Sequence, residues 1–213
     1  MLCLKADTDP EWASLALARV DAVLADHAHC ELKAAANALA LAARHPDDLE
    51  LVRALTDLAR EEIEHFQQVL SRLAARAIPL GPPPVDLYAA ELRRAANELP
   101  LDGSAGPGAR LVDRLLVAAL IEARSCERFK LLAAACRGDG PPAPDDSGLG
   151  SFWAQLLAAE AGHYRTFIDL AERASGGDRQ RVTARLDRLA DVESSLVSAL
   201  ARRPAHDRAT IHG

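Results

Sequence analysis

Glu31 is followed by Glu62-Ile63-Glu64-His65, and Glu127 is followed at a nearly equal separation by Glu160-Ala161-Gly162-His163. Residues three apart on a helix share a face, so Glu62 with His65, and Glu160 with His163, can project side by side. Each half of the pattern then supplies one Glu from one helix and a Glu-x-x-His pair from the next. Together they make four carboxylates and two imidazoles, the ligand set of a carboxylate-bridged two-metal site in a four-helix bundle. Carboxylate oxygen and neutral imidazole suit iron, manganese or zinc better than copper(I), which prefers sulfur. The spacing does not separate iron from manganese.

Thirteen Glu and seven His in 213 residues give roughly 0.4 Glu-x-x-His matches by chance, so a lone match means little. Here there are two, and their surroundings agree. Leu58-Ala59-Arg60-Glu61-Glu62-Ile63-Glu64-His65-Phe66 is similar to Leu156-Leu157-Ala158-Ala159-Glu160-Ala161-Gly162-His163-Tyr164, with an aromatic after each His. Cys30-Glu31-Leu32-Lys33 is similar to Cys126-Glu127-Arg128-Phe129-Lys130. The offsets are 96 for the first Glu and 98 for both members of the pair, which reads as an internal repeat. The competing reading is a pair of solvated salt-bridge faces on amphipathic helices.

Glu122 competes with Glu127 for the third helix. The two are five positions apart and point to different sides of a helix, and the repeat favours Glu127 as the ligand. Glu122 is then expected to touch a ligand from outside, or to pair with Arg124 or Arg128. His29 is assigned a similar outer role, with His27 beside it. Cys30 and Cys126, each just before a proposed ligand, are read as small core fillers.

Several elements must hold these groups in place. Alanine and leucine dominate, aromatic residues make up 4% and hydrophobic residues 49%, which favours an all-α chain with close helix contacts. Asp9-Pro10 opens a short helix. Core helices are expected from Leu17 or Asp21 to Arg44, from Asp47 to Arg76, from Ala109 to Cys136 and from Ser151 to Ala174. His45-Pro46-Asp47-Asp48 makes a tight connection between the first two. The stiff run Ile78-Pro79-Leu80-Gly81-Pro82-Pro83-Pro84, a modest helix over Val85 to Glu98 and a Gly-rich stretch from Asp102 to Gly108 form a long crossover. Gly138 to Gly150 is a loop, and Asp178 to Ala201 is an additional helix. One long crossover among short connections is the ferritin-like four-helix bundle arrangement. The expected organisation is a single domain over residues 1–213, with a core at 12–175, a C-terminal helix at 178–201 and a loose tail at 204–213.

The runs Asp26-His27-Ala28-His29-Cys30-Glu31-Leu32-Lys33-Ala34-Ala35, Leu51 to Leu55 with Leu58 to Phe66, and Ile121-Glu122-Ala123-Arg124-Ser125-Cys126-Glu127-Arg128-Phe129 carry a family resemblance. Over about Trp12 to Ala174 the chain resembles the tRNA-(2-methylthio-N6-isopentenyladenosine) hydroxylases, the MiaE family. That resemblance implies a non-haem di-iron monooxygenase acting with dioxygen and an unidentified electron donor. Its implied substrate is the isopentenyl group of a hypermodified adenosine next to the tRNA anticodon. The metal ligands expected on these grounds are Glu31, Glu62, His65, Glu127, Glu160 and His163, holding two irons with manganese as the competitor. An apolar passage for the substrate would draw on residues such as Phe66 or Phe129, whose competing role is core packing.

A net charge of −6 and a pI near 5.6 weigh against a nucleic-acid substrate. Four of those charges are proposed ligands, leaving about −2, and distribution matters more than the total. Arg93, Arg94, Arg124, Arg128 and Lys130 are candidate phosphate contacts. No segment approaches 18 uninterrupted apolar residues, the N-terminus lacks a signal-peptide pattern, and the four cysteines show no disulfide framework. A cytoplasmic monomer without a membrane partner is expected. Alternative functions are a ferritin- or rubrerythrin-like ferroxidase or peroxide-reducing protein, a manganese catalase, and a metal-bearing module without catalysis. No Cys-x-x-Cys pair is present for a rubredoxin-like iron centre.

Overall fold

The structure is a computed structural model that describes residues 2–9, 11–101, 108–137, 148–201 and 211. Among these residues there are seven α-helices and no strand: α1 (Trp12–Leu17), α2 (Val20–Ala43), α3 (Leu49–Ala75), α4 (Leu87–Glu98), α5 (Ala109–Ala135), α6 (Leu149–Ala174) and α7 (Arg179–Leu200). The helices start and stop where local chemistry directs. Asp48, Asp86 and Asp178 accept hydrogen bonds from Leu51 N, Ala89 N and Arg181 N, each at 3.0 Å, and so cap α3, α4 and α7. His45-Pro46 closes α2, because the residue before proline is pushed out of the helical region. Residues 102–107 of the Gly-rich stretch, 138–147 of the next loop and most of the tail lie outside the described residues.

The helices sort into two compact units. One holds α2 and α3, from Ala16 to Val85, and the other holds the N-terminal segment up to Leu15 with α4 to α7. In the first unit Arg76, the C-cap of α3, bonds Asp21 of α2 at 2.7 Å, while His65 lies 3.7 Å from Glu31. Pairing runs in opposite directions along the two helices, so they form an antiparallel hairpin. Its interior is Val23, Leu24, Ala28, Leu51, Leu55 and Val69, all buried.

In the second unit α5 and α6 form a second antiparallel hairpin. Phe129 stacks on Trp153 with ring centroids 5.5 Å apart, Cys126 Sγ donates to the Leu157 carbonyl at 3.8 Å, and His163 follows further along α6. Gly108, where α5 begins, sits so near the end of α6 that a Cβ there would meet the Ala174 carbonyl oxygen at 2.6 Å. Only glycine permits that approach. The α7 helix packs on α4 and α5, anchored by Arg185, which donates to both carboxylate oxygens of Asp113 at 2.7 and 2.9 Å.

Candidate metal centre

Facing residues of α2 and α3 gather Glu31, Glu62 and His65. Glu31 and Glu62 are 2% and 1% exposed. His65 Nδ1 lies 3.7 Å from Glu31 Oε2 and 3.8 Å from Glu62 Oε2, and one donor atom from each residue falls within 4.8 Å of the others. One turn before Glu31, His27 Nε2 stands 2.8 Å from Glu31 Oε1. His29, expected in that outer role, is buried on α2, and the imidazole that reaches Glu31 is His27. Its i, i+4 spacing to Glu31 is the signal that selects it.

The hairpin of α5 and α6 gathers Glu122, Glu160 and His163. All three are buried, with donor atoms within 4.8 Å of one another and His163 Nδ1 3.2 Å from Glu160 Oε2. Glu127, expected as the ligand from α5, is elsewhere. Its carboxylate accepts from Thr8 N at 2.7 Å and Thr8 Oγ1 at 2.6 Å, and pairs with Arg124. Glu122 takes the place assigned to Glu127.

Hairpin register explains the correction. The α2 helix ends at Ala43 and α3 starts at Leu49, so Glu31 and Glu62 both stand about three and a half turns above their connection. In the other hairpin α5 ends at Ala135 and α6 starts at Leu149. Glu160 is there about three turns above the connection and Glu122 about three and a half, but Glu127 only about two. At a rise of about 1.5 Å per residue Glu127 is too near the connection, and it also faces another side. The translation that aligns Glu31 with Glu127 equally aligns Asp26 with Glu122. Both α2 and α5 carry two acids five apart, Asp26 with Glu31 and Glu122 with Glu127, and the clusters draw on opposite members. Asp26 accepts from Ile211 N at 2.7 Å, as Glu127 accepts from Thr8 N.

Metal fits each cluster by its donor chemistry. Two carboxylates so close and so deeply buried cannot both stay ionised cheaply without a cation between them. Their companion is an imidazole, so each set is oxygen and nitrogen, the preference of iron, manganese or zinc.

The candidate phosphate contacts divide. Arg124 and Arg128 are 0% and 5% exposed, so they are structural cations and offer nothing to an external phosphate. Arg128 lies 4.9 Å over the Trp12 ring, and burial brings its guanidinium down to about 10. Arg94 is on the surface, where it bonds Glu91 and Glu98. Arg93 and Lys130 are exposed. Phe129 is core, packed on Trp153, whereas Phe66 is half-buried.

An all-α chain with a duplicated Glu and Glu-x-x-His pattern, its acids buried in two helix hairpins, falls in the ferritin-like class. A solved structure supports that class along the whole length: Protein 43 with aldehyde deformylating oxygenase activity, from Synechococcus, superposes with a TM-score of 0.83 at 37% identity. The match covers 100% of this chain and 96% of that one. The chain belongs to the family described as tRNA-(MS[2]IO[6]A)-hydroxylase (MiaE), whose sequence model matches residues 1–207. A tRNA 2-(methylsulfanyl)-N(6)-isopentenyladenosine(37) hydroxylase from Pseudomonas putida is 37% identical over 192 residues, covering 90% of this chain and 85% of the relative. A hydroxylase of the same description from Salmonella typhimurium is 34% identical over 149 residues, 70% of this chain and 48% of that longer protein.

Proposed function

We propose that this protein is a di-iron, dioxygen-dependent tRNA hydroxylase that acts on the isopentenyl group of 2-methylthio-N6-isopentenyladenosine next to the anticodon. The observation that carries this reading is the pair of buried carboxylate and imidazole clusters in a chain of the hydroxylase family. Glu31, Glu62 and His65 would hold one metal ion, and Glu122, Glu160 and His163 another. When bound, the metal pair supplies the redox chemistry by which dioxygen is activated to attack an unactivated C–H bond. One oxygen atom enters the C–H bond. The other leaves as water, with electrons from a separate donor and protons from solvent.

The chain's own residues bind, orient and exclude. His27 lies against Glu31 on the side away from His65, where it can fix that carboxylate's orientation. Two turns from Glu122 and Glu160, the buried stack of Phe129 and Trp153 with Leu156 forms an apolar floor that keeps water from the acids. Arg93 and Lys130 remain the candidate phosphate contacts, with Arg94 able to join by giving up its exposed pairs, which are worth little. On this reading the partners are tRNA and an electron donor, and the chain works in the cytoplasm as a monomer. Among the described residues no helix is long and apolar enough to cross a membrane.

Mass spectrometry of tRNA nucleosides, after incubation with iron-loaded protein, a reductant and dioxygen, tests the proposal. The expected product is the substrate nucleoside gaining one oxygen. Modified tRNA that is bound yet never gains oxygen would sink it. The Synechococcus neighbour motivates a second arm with an aldehyde substrate, since that protein's described activity is on aldehydes. Turnover there without tRNA oxygenation would favour that chemistry, and oxidation of ferrous iron alone would favour a ferroxidase.

A further inference from the structure

Between residues 115 and 129 the α5 helix is buried on every side except at the half-buried Ile121. A helix buried all round has no apolar stripe to dictate its rotation, and its run Leu115 to Leu120, made only of Leu, Val and Ala, tolerates a turn or a slide. Yet α5 carries two acids, Glu122 and Glu127, of which one must be chosen.

The residue between them has no such tolerance. Arg124 is wholly buried, and each of its five N–H groups is used. Nε and Nη2 donate to the two oxygens of Glu193 on α7 at 2.9 and 3.0 Å. Nη2 also donates to the Ala6 carbonyl at 2.9 Å, and Nη1 donates to Thr8 Oγ1 at 3.2 Å and to Glu127. Tyr88 of α4 donates its hydroxyl to Glu193 at 2.9 Å. The guanidinium is therefore held in one plane by α7, by the N-terminal segment and by its own helix. Residue 124 is about 200° around the helix from residue 122, so this clamp grips the back of α5 while Glu122 projects from the other side.

We propose that Arg124 is a positioning residue: its bonds to Glu193 of α7 and to the Ala6 carbonyl lock the rotation of α5 so that Glu122, and not Glu127, stands beside Glu160 and His163. The inference rests on the metal-binding reading above. It goes beyond that reading by assigning the choice of ligand to a residue that touches no metal.

Cobalt(II) titration of the full chain, read by stoichiometry and by the visible ligand-field spectrum, tests the inference in native protein, Arg124→Lys and Glu193→Gln. Native protein is expected to take two ions. In both variants the ion held by Glu122, Glu160 and His163 weakens by roughly 10–100-fold with a changed spectrum, while the ion on Glu31, Glu62 and His65 keeps its affinity. Glu193→Gln retains the shape of the site and serves if Arg124→Lys does not fold. Asp113→Asn breaks another buried pair on the same helix, with Arg185, and is expected to lower stability without singling out either ion. Native protein that binds no cobalt defeats the metal-binding reading itself. Two ions of unchanged affinity and spectrum in both variants overturn the positioning role alone. So does an equal loss of both ions in the variants and in Asp113→Asn.

Discussion

A buried carboxylate must be answered by a cation or by hydrogen-bond donors; on α5 Glu127 takes donors from Thr8 and Arg124, while Glu122, beside Glu160 and His163, would on the proposed function take a cation. Their substitutions therefore separate. Glu122→Gln is expected to weaken one bound metal ion by at least roughly tenfold and to abolish hydroxylation. Glu127→Gln is expected to keep both ions, because Arg124 stays held by both oxygens of Glu193 and by the Ala6 carbonyl, while stability falls by about 1–3 kcal/mol. Metal analysis beside chemical denaturation checks both, and loss of an ion from Glu127→Gln would return Glu127 to the ligand set. Cys126 lies between these residues with its thiol pushed up to about 12, first by burial and then by the Glu160 carboxylate. Its folded pKa lies above the unfolded value of 9.0, so the stability it contributes is complete below that value. That contribution is lost as pH rises towards about 12, with a limiting slope of about 1.4 kcal/mol per unit. Unfolding free energies measured above pH 9.0 should fall more steeply for native protein than for Cys126→Ala, and equal slopes would remove the thiol from the account.

At the scale of elements, caps and breakers did most of the work. Asp48, Asp86 and Asp178 each precede an apolar-periodic run, and each caps a helix. His45-Pro46 separates α2 from α3, so the expected helices and the observed ones differ by only a few residues at their ends. What periodicity does not contain is the height at which two helices of a hairpin meet, because that depends on where the connection lets the partner begin. The short connection between α2 and α3 and the much longer one between α5 and α6 set those heights differently, and the repeat offset concealed the difference. Gly162, between Glu160 and His163 in the middle of α6, invites a further test. A Cβ there meets nothing within 4 Å, and an interior helical glycine costs about 0.5–1 kcal/mol relative to alanine. Gly162→Ala should stabilise the protein by that amount in urea unfolding. A destabilised variant would show that backbone conformation or a bound group, rather than helix propensity, governs the position.

At the scale of the whole molecule, the two buried acid clusters would, on the proposed function, make the folded state dependent on cations. Ligands that bind only the folded chain stabilise it by about 2.7 kcal/mol at a hundredfold excess over Kd, which for a chain of this size is roughly 5–10 °C in Tm. Stripping metal with a chelator should lower the melting temperature by that order, and re-addition of ferrous ion should restore it. A melting temperature indifferent to both would contradict the assignment. The ligand types, the helix class and the family were determined by the sequence itself, since they depend on residue identity at short spacing: Glu62 with His65, Glu160 with His163, and the Glu-Ala-Arg-Ser-Cys-Glu-Arg-Phe run. Only the tertiary structure decided that Glu122 rather than Glu127 joins Glu160, and that Arg124 and Arg128 face inward instead of towards phosphate. Those choices depend on the rotation and height of one buried helix against its neighbours. Both are set by contacts between residues far apart in the chain, such as Thr8 with Glu127 and Arg124 with Glu193, which no local spacing encodes.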